Sequence, residues 1–436
     1  LILRLIKTSE SPAEIFLRLK PQFSEGFFLS HWGDEPFSYF GFTPTRVLSG
    51  LFAQYQNVAD QLNCQHDLPD GEFPFKGGWC GLLGYNMAQA FEDLNFKNQT
   101  SDSLPDFHFG FYPEVFVYDH RNDDVFLIGQ NPERIAELKK CYTEARVQTT
   151  NFTASDLKTP INRAQFSQRV ERCRQYIAAG DIFQANLSHP LFFKIKGDPA
   201  ALYQRALQSN PSPYDSVYFT PKFQLLSNSP ELLFKIRDHQ VVTKPIAGTR
   251  RRGRDATEDL TLAEDLILSE KERAEHLMLV DLERNDLGRC CDFGSVRVSE
   301  FMNREKYSHV IHIVSTVTGK LRSNTKPPEM IAAMFPGGTI TGTPKIRSME
   351  IIDELESHPR NFYTGSLGWI SASGSCEFNI LIRSLLLEPQ GNQIYRGTLN
   401  VGAGIVADSD PSGEYSETLH KAGAWLGALR LSLQES

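Results

Sequence analysis

No apolar run in this chain of 436 residues approaches the ~18 residues that a membrane span needs. Stretches such as Leu277–Val280 meet a charge within a few positions. A basic surface is missing as well. Lys and Arg number 45 against 53 Asp and Glu, a formal net charge of −8, which argues against general binding to nucleic acid or to an anionic membrane. An anionic small molecule stays open, because a local basic pocket or a bound cation reverses the sign. The seven cysteines, Cys64, Cys80, Cys141, Cys173, Cys290, Cys291 and Cys376, are odd in number, scattered and without a C-x-x-C pair. Neither a zinc site nor a disulfide framework is signalled, and a reducing cytoplasm is the expected home. The opening Leu-Ile-Leu-Arg-Leu-Ile is too short for a signal h-region and lacks a small-residue cleavage pattern. Gly78-Trp-Cys-Gly81 is not an elbow that presents a nucleophile, and no other segment offers one.

What is present suits a folded chain. Aromatics at 11% and hydrophobic residues at 40% exclude general disorder, and the length allows roughly two or three domains or one large composite core. The first ~150 residues read as strands between turn-rich loops: Phe37–Phe42, Gly77–Tyr85, Val115–Tyr118 and Val125–Ile128, the last two flanking a polar hairpin at Asp119–Asp124. Thr149–Pro160 is polar and non-periodic, which predicts a linker. Beyond it Phe166, Val170, Cys173 and Ile177 recur at helical spacing, and Gly180 terminates the helix. Strands are expected near Ser216–Thr220, Gln224–Ser227 and Gln240–Thr243. One long charged helix is expected over Ala256–Leu287, then a helix at Ile346–Leu355. Strands at Tyr363–Ile370 and Phe378–Leu387 and a final helix at Tyr415–Leu431 complete an α+β pattern.

Several segments carry candidate chemistry. Glu414, Glu417 and Lys421 share one helix face. By spacing alone they read first as a solvated stripe with an i,i+4 ion pair worth a few tenths of a kcal/mol, and only second as carboxylates for a hard cation such as Mg²⁺, which often takes only one or two from protein. Glu272 and Glu275, three apart on another helix, would supply the opposing ligands. Lys244–Gly253 sets a small-residue turn at Gly248 and Thr249 beside three arginines, where backbone N–H groups approach an anion closely. Pro336-Gly-Gly-Thr-Ile-Thr-Gly-Thr-Pro-Lys345 has the composition of a phosphate cradle but not the spacing of a P-loop. Val401-Gly-Ala-Gly-Ile405 is weak alone. Arg383 falls inside an apolar strand, on one face with Asn379, Leu381 and Leu385, so its guanidinium needs either a structural Asp or a substrate carboxylate. His312, among apolar residues with His309 outside them, fits a satisfied core histidine better than a base.

Taken together these strings resemble the chorismate-utilising family of anthranilate synthase component I, aminodeoxychorismate synthase component I, isochorismate synthase and salicylate synthase, over essentially the whole chain. The resemblance implies an α+β fold: a large α/β/β/α sandwich of two central antiparallel sheets with helices outside. It implies a strand-rich region 1–150 and a chorismate-binding catalytic region 160–432, packed as one composite. It further implies Mg²⁺ held by Glu275 and Glu417, with Glu272 and Glu414 water-mediated. Chorismate would be contacted by Gly248, Thr249, Tyr363, Arg383 (on the enolpyruvyl carboxylate), Gly402, Ala403 and Gly404, with Lys421 nearby. Glu231, in Ser229-Pro-Glu231, and His312 match acid/base or positioning residues.

Gln184 stands where the water-using members carry a lysine base, and a neutral amide cannot deprotonate water, which points to amination. Ala247 stands where aminodeoxychorismate synthases often carry a nucleophilic lysine, and with Glu275-His276 and the Tyr307–Ser315 string it resembles the anthranilate branch. Gln184-Ala-Asn-Leu187, Pro336–Gly342 and Tyr363-Thr-Gly-Ser-Leu-Gly368 resemble the aminodeoxychorismate branch, the reading taken here. Anthranilate formation and a non-catalytic amino-acid-sensing subunit are the alternatives. With no glutaminase elbow in this chain, ammonia is expected from a separate glutamine amidotransferase subunit. Ser30–Thr43 falls where relatives hold tryptophan, though a plain sandwich core is expected there.

Overall fold

The computed structural model describes residues 1–7, 9–63, 73–146, 150–209, 211–306 and 310–433; Cys64 and His309 lie outside them. Two antiparallel sheets dominate. In the first, of 12 strands among the described residues, the order is Ile2–Lys7, Asp124–Ile128, Val115–Asp119, Phe37–Phe42, Gly26–Ser30, Tyr214–Phe219, Gln224–Ser229, Ser384–Pro389, Ile394–Ile405, Gln184–Gly197 and Gly342–Thr343, with Phe152–Lys158 also on Gln184–Gly197. In the second, of 10, the order is Ile246–Arg251, Val310–Lys320, Gln240–Thr243, Leu232–Arg237, Cys376–Asn379, Ser366–Ser371, Gly78–Leu83, Phe107–Tyr112 and Arg46–Gly50, with Arg297–Lys306 on Val310–Lys320.

The apolar residues sort into three layers. Phe28, Phe40, Leu226 and Leu399 of the first sheet pack under the helices Pro12–Leu19, Pro132–Glu144, Pro199–Ser209 and Pro411–Leu429. Phe27, Tyr39 and Leu225 meet Leu82, Leu367 and Trp369 between the sheets. Phe109, Phe234 and Phe378 of the second sheet pack under Val280 and Leu287 of the Glu270–Gly288 helix and Met330 and Met334 of the Pro327–Met334 helix. This is the expected α/β/β/α sandwich, and alternating side chains on each strand make both sheet faces apolar. Trp32, Phe37 and Tyr39 of the Ser30–Thr43 stretch are buried in the middle layer; the Trp32 ring stands edge-on to Tyr214 at 5.1 Å. No helix among the described residues is long and apolar enough to cross a membrane.

Four local expectations need correction. Phe152–Lys158, inside the anticipated linker, is a strand. Its polar side chains belong to an outer strand, half of whose residues are exposed, and long-range pairing to Phe192–Gly197 supplies what its composition does not show. The long helix over 256–287 is two helices, Ala256–Leu268 and Glu270–Gly288. Ser269 breaks it with ψ 112° and caps the second helix by accepting the Glu272 N–H. Tyr363 precedes its strand, which starts at Ser366. The apolar run from Phe378 is not one strand either. Cys376–Asn379 belongs to the second sheet and Ser384–Pro389 to the first, and Arg383, with φ 50°, sits on the crossover between them.

A second crossover accompanies it. The chain leaves Gln224–Ser229 in the first sheet and enters Leu232–Arg237 in the second, passing through Pro230 and Glu231. The two crossings run antiparallel and are zipped: Ile380 N–H donates to Glu231 O at 2.9 Å, Ser229 Oγ donates to Ile380 O, and Asn228 N–H donates to Arg383 O at 3.1 Å. Nearby, Arg360 is buried and bidentate on Glu356, Nε–Oε2 3.0 Å and Nη2–Oε1 2.7 Å. Its remaining donors reach Ile340 O, Asn186 O and Thr364 Oγ1, so the ion pair is fully satisfied. Because losing one partner strands a buried carboxylate, Arg360→Met is expected to cost about 3–5 kcal/mol, read as a lower urea midpoint of unfolding.

Candidate active site

Glu231 is the centre of the geometry. Its carboxyl is 5% exposed, accepts Thr339 Oγ1 at 2.7 Å and the Ile246 N–H, and feels Arg383 and Lys421. Burial outweighs these stabilising contacts and pushes the carboxyl up to about 7. Arg383 is half-buried; burial lowers its pKa and Glu231 opposes that. Among the described residues its guanidinium hydrogen-bonds to no carboxylate, so the structural Asp partner that a buried arginine would otherwise need is not found there, and the fork points to an external anion. The carbonyl of Arg383 is fixed instead, accepting Trp425 Nε1–H at 2.7 Å.

The strand Ile246–Arg251 bulges between Ala247 and Thr249 against Val310–Lys320, where Thr249 pairs with His312 and Ala247 with Ile313. Gly248 takes φ +68°, and a Cβ there would lie 2.8 Å from Glu272 Oε2, so only glycine suits both the backbone and the approach. His312 Nδ1–H donates to Gly248 O at 3.3 Å. Burial, aided by Arg383, holds His312 down to about 4. It is therefore a neutral imidazole at pH 7, as anticipated for a core histidine.

Gln184, Gly402, Ala403 and Gly404 meet where Gln184–Gly197 pairs with Ile394–Ile405. A Cβ on Gly402 would lie 2.7 Å from Tyr363 Oη, and one on Gly404 would lie 2.7 Å from Gln184 Nε2 and 3.8 Å from Glu275 Oε1. The glycines thus let Tyr363, Gln184 and Glu275 sit directly over the strand, while Ala403 points into the apolar layer with Phe166 and Tyr415. Gln184 Nε2–H donates to Glu275 Oε1 at 2.9 Å; its buried Oε1 has no partner among the described residues. Lys421 Nζ–H donates to Gly402 O at 3.0 Å and pairs with Glu417 at 2.8 Å. The i,i+4 ion pair of the bland reading is therefore present, and it ties Glu417 to the same strand.

Glu272, Glu275, Glu414 and Glu417 come from two helices. Among the described residues no three His, Cys, Asp or Glu side chains form a cage on their own. The donor set nonetheless fits Mg²⁺, which completes its octahedron with water and substrate oxygens. Gly404 leaves open, beside Glu275, the space a side chain would fill. Thr339, Asn186, Thr243, Arg360 and Glu283 were not singled out from the sequence. Thr339 lay within the glycine-rich string already noted, but nothing in its spacing showed that it faces Glu231. A cavity of about 600 Å³ opens elsewhere, lined by Leu62, His239, Lys326 and Gly374; none of the candidate residues lines it.

A profile described as chorismate binding enzyme matches residues 50–427. The chain belongs to the chorismate-binding enzyme family. Within it, the chain is 45% identical over 386 residues to aminodeoxychorismate synthase component 1 of Bacillus subtilis, covering 85% of this chain and 80% of that one. It is 37% identical over 440 residues to anthranilate synthase component 1 of Methanothermobacter thermautotrophicus, covering 97% and 93%. The crystal structure of anthranilate synthase component I from Streptococcus pneumoniae superposes with TM-score 0.80 at 31% identity, covering 90% of this chain and 92% of that chain. The chain is thus a chorismate-utilising enzyme by family, and its sandwich is the anthranilate synthase component I fold.

The raised Glu231 carboxyl has a thermodynamic signature. Between about 4.5 and about 7 the folded protein keeps a proton there that the unfolded chain releases, so this group's contribution to stability is full below 4.5 and is lost as pH rises through 7. Urea unfolding across that range is expected to show the wild type losing stability relative to Glu231→Gln.

Proposed function

We propose that this chain is aminodeoxychorismate synthase component I, which aminates chorismate with ammonia to 4-amino-4-deoxychorismate and releases water. The observation that carries it is Arg383, half-buried and hydrogen-bonded to no carboxylate among the described residues, beside a Glu231 whose carboxyl burial pushes up to about 7. Arg383 binds the enolpyruvyl carboxylate with two parallel bonds. Gly248, Thr249, Tyr363, Gly402, Gly404 and Lys421 line the ring, with Ala403 offering only its backbone between the two glycines. Glu275 and Glu417, with Glu272 and Glu414 through water, would hold Mg²⁺, which when bound would supply positive charge to neutralise the ring carboxylate.

Ammonia forms a bond to ring carbon 2 while the carbon 4–oxygen bond breaks, and the leaving hydroxyl takes the Glu231 proton and departs as water. The ammonium so formed returns a proton to Glu231. A second ammonia then attacks carbon 4 as the carbon 2–nitrogen bond breaks; the first nitrogen takes the Glu231 proton and leaves as ammonia, and the new ammonium returns a proton to Glu231. Gln184 favours nitrogen over water: its amide is no base, and its Oε1 accepts an N–H from ammonia. His312, neutral, positions Gly248. With Ala247 in place of a lysine, no covalent enzyme intermediate forms, and a stable protein adduct in turnover mixtures would contradict this. Ammonia comes from a separate glutamine amidotransferase subunit, and the enzyme works in the cytoplasm. Near Ser30–Thr43, Trp32, Phe37 and Tyr39 fill the core with their own side chains. Ala247 favours a second reading, anthranilate synthase component I.

Incubation with chorismate, Mg²⁺ and an ammonium salt separates the two. The expected product is non-fluorescent and yields p-aminobenzoate only after a lyase is added; direct appearance of fluorescent anthranilate decides for the alternative. Chelation with EDTA is expected to stop turnover, and Mg²⁺ to restore it. Arg383→Gln is expected to lower kcat/KM for chorismate on the order of 10²-fold, mainly through KM.

A further inference from the structure

Three carboxyls are buried in succession behind the site: Glu231, Glu283 and Asp286, at 5%, 4% and 3% exposure. Each has a different environment. Glu231 faces Arg383 and Lys421. Asp286 is in contact with the buried Lys345 ammonium, which also donates to Met334 O. Glu283, one turn before Asp286 on the Glu270–Gly288 helix, is hydrogen-bonded by no Lys or Arg among the described residues; Thr243 Oγ1–H reaches its Oε2 at 3.1 Å. A carboxylate at that depth, held by one hydroxyl between two acidic neighbours, costs far more than a carboxylic acid. Burial acts first in that direction and the Asp286 carboxylate second, and together they outweigh the nearby Lys345 ammonium and the Thr243 bond.

Its contacts lead to both supports of Glu231. A Cβ on Gly338 would lie 3.5 Å from Glu283 Oε1 and 2.3 Å from Leu282 Cδ2, so this stretch of helix rests on the Gly338–Ile340 turn. The next residue of that turn, Thr339, donates to Glu231. The other oxygen, Oε2, holds Thr243, the last residue of its strand. From there the chain passes through Pro245 to Ile246, whose N–H also bonds to Glu231.

We propose that Glu283 is a positioning residue for the amination: a buried carboxylic acid, kept neutral, that holds the Thr339 turn and the Thr243–Ile246 segment in place and so aims Glu231. The assignment rests on the reading of Glu231 as the acid. Two variants and one spectrum test it. Glu283→Ala is expected to lower kcat for chorismate consumption with ammonium about 10- to 100-fold, with KM changed less than about threefold. Glu283→Gln, the neutral isostere, is expected to restore kcat to within about threefold of wild type.

The infrared difference between wild type and Glu283→Gln at pH 7 is expected to contain the C=O stretch of a protonated carboxyl. Wild-type kcat in Glu283→Ala overturns the proposal, as does a loss in Glu283→Gln equal to that in Glu283→Ala, or a carboxylate band in the difference spectrum. Chorismate consumption is counted whichever product forms. A wild-type protein that consumes none therefore sinks the functional reading itself, whereas an active enzyme with a carboxylate band sinks only the role given to Glu283.

Discussion

Two strands that each change sheets, hydrogen-bonded to one another as they cross, organise this molecule. The pairing of Ser227 with Ser384 in one sheet and of Leu232 with Asn379 in the other forces both crossings to the same place, and Ile380 N–H on Glu231 O locks them. A crossing strand cannot keep regular pleating, so its residues escape the alternation that would send them into an apolar layer. That is why an acid and a guanidinium stand together between two sheets otherwise faced with Phe, Leu and Trp. The positive φ of Arg383 is part of the same turn, held by bonds from Asn228 and Trp425 to its carbonyl.

Charge is handled by separation. The protein is acidic overall, yet two cations stand close to the buried Glu231: Arg383, and Lys421, which donates to the Gly402 carbonyl. Behind them, the Arg360–Glu356 and Lys345–Asp286 pairs are internally balanced and hold loops rather than substrate. In such a low-dielectric interior each unpaired charge is costly. Burial sets the state of the titratable groups in that interior: the Glu231 and Glu283 carboxyls are pushed up and the His312 imidazole is pushed down.

Much of the site was legible before the fold. Gly248 and the Glu275 and Glu417 helices were readable as strings, because close backbone approach and paired acids leave marks in local spacing; Gly402 and Gly404 were weak alone, and Gln184 and Glu231 stood out only through the family resemblance. Arg383 was found but set in the wrong element. An unbroken apolar run looks the same whether it stays in one sheet or passes to another. The Ser269 break was equally silent, since acidic and basic residues with apolar ones at helical spacing continue on both sides of it. Thr339, Asn186 and Glu283 escaped because their importance lies wholly in what they touch.

The sequence by itself determined the class of fold through period-two apolar strands, amphipathic helices and small residues where backbone and side chain must approach closely. These are properties of neighbours within a few residues, and the chain carries them wherever it goes. Only the tertiary structure decided which groups share a solvent-poor space. Strand register and sheet crossing brought residues 184, 231, 275, 383 and 402 together, and burial then set whether each carries a charge. The free energy of an ionised group depends on what surrounds it in three dimensions, and that is not written in any local string.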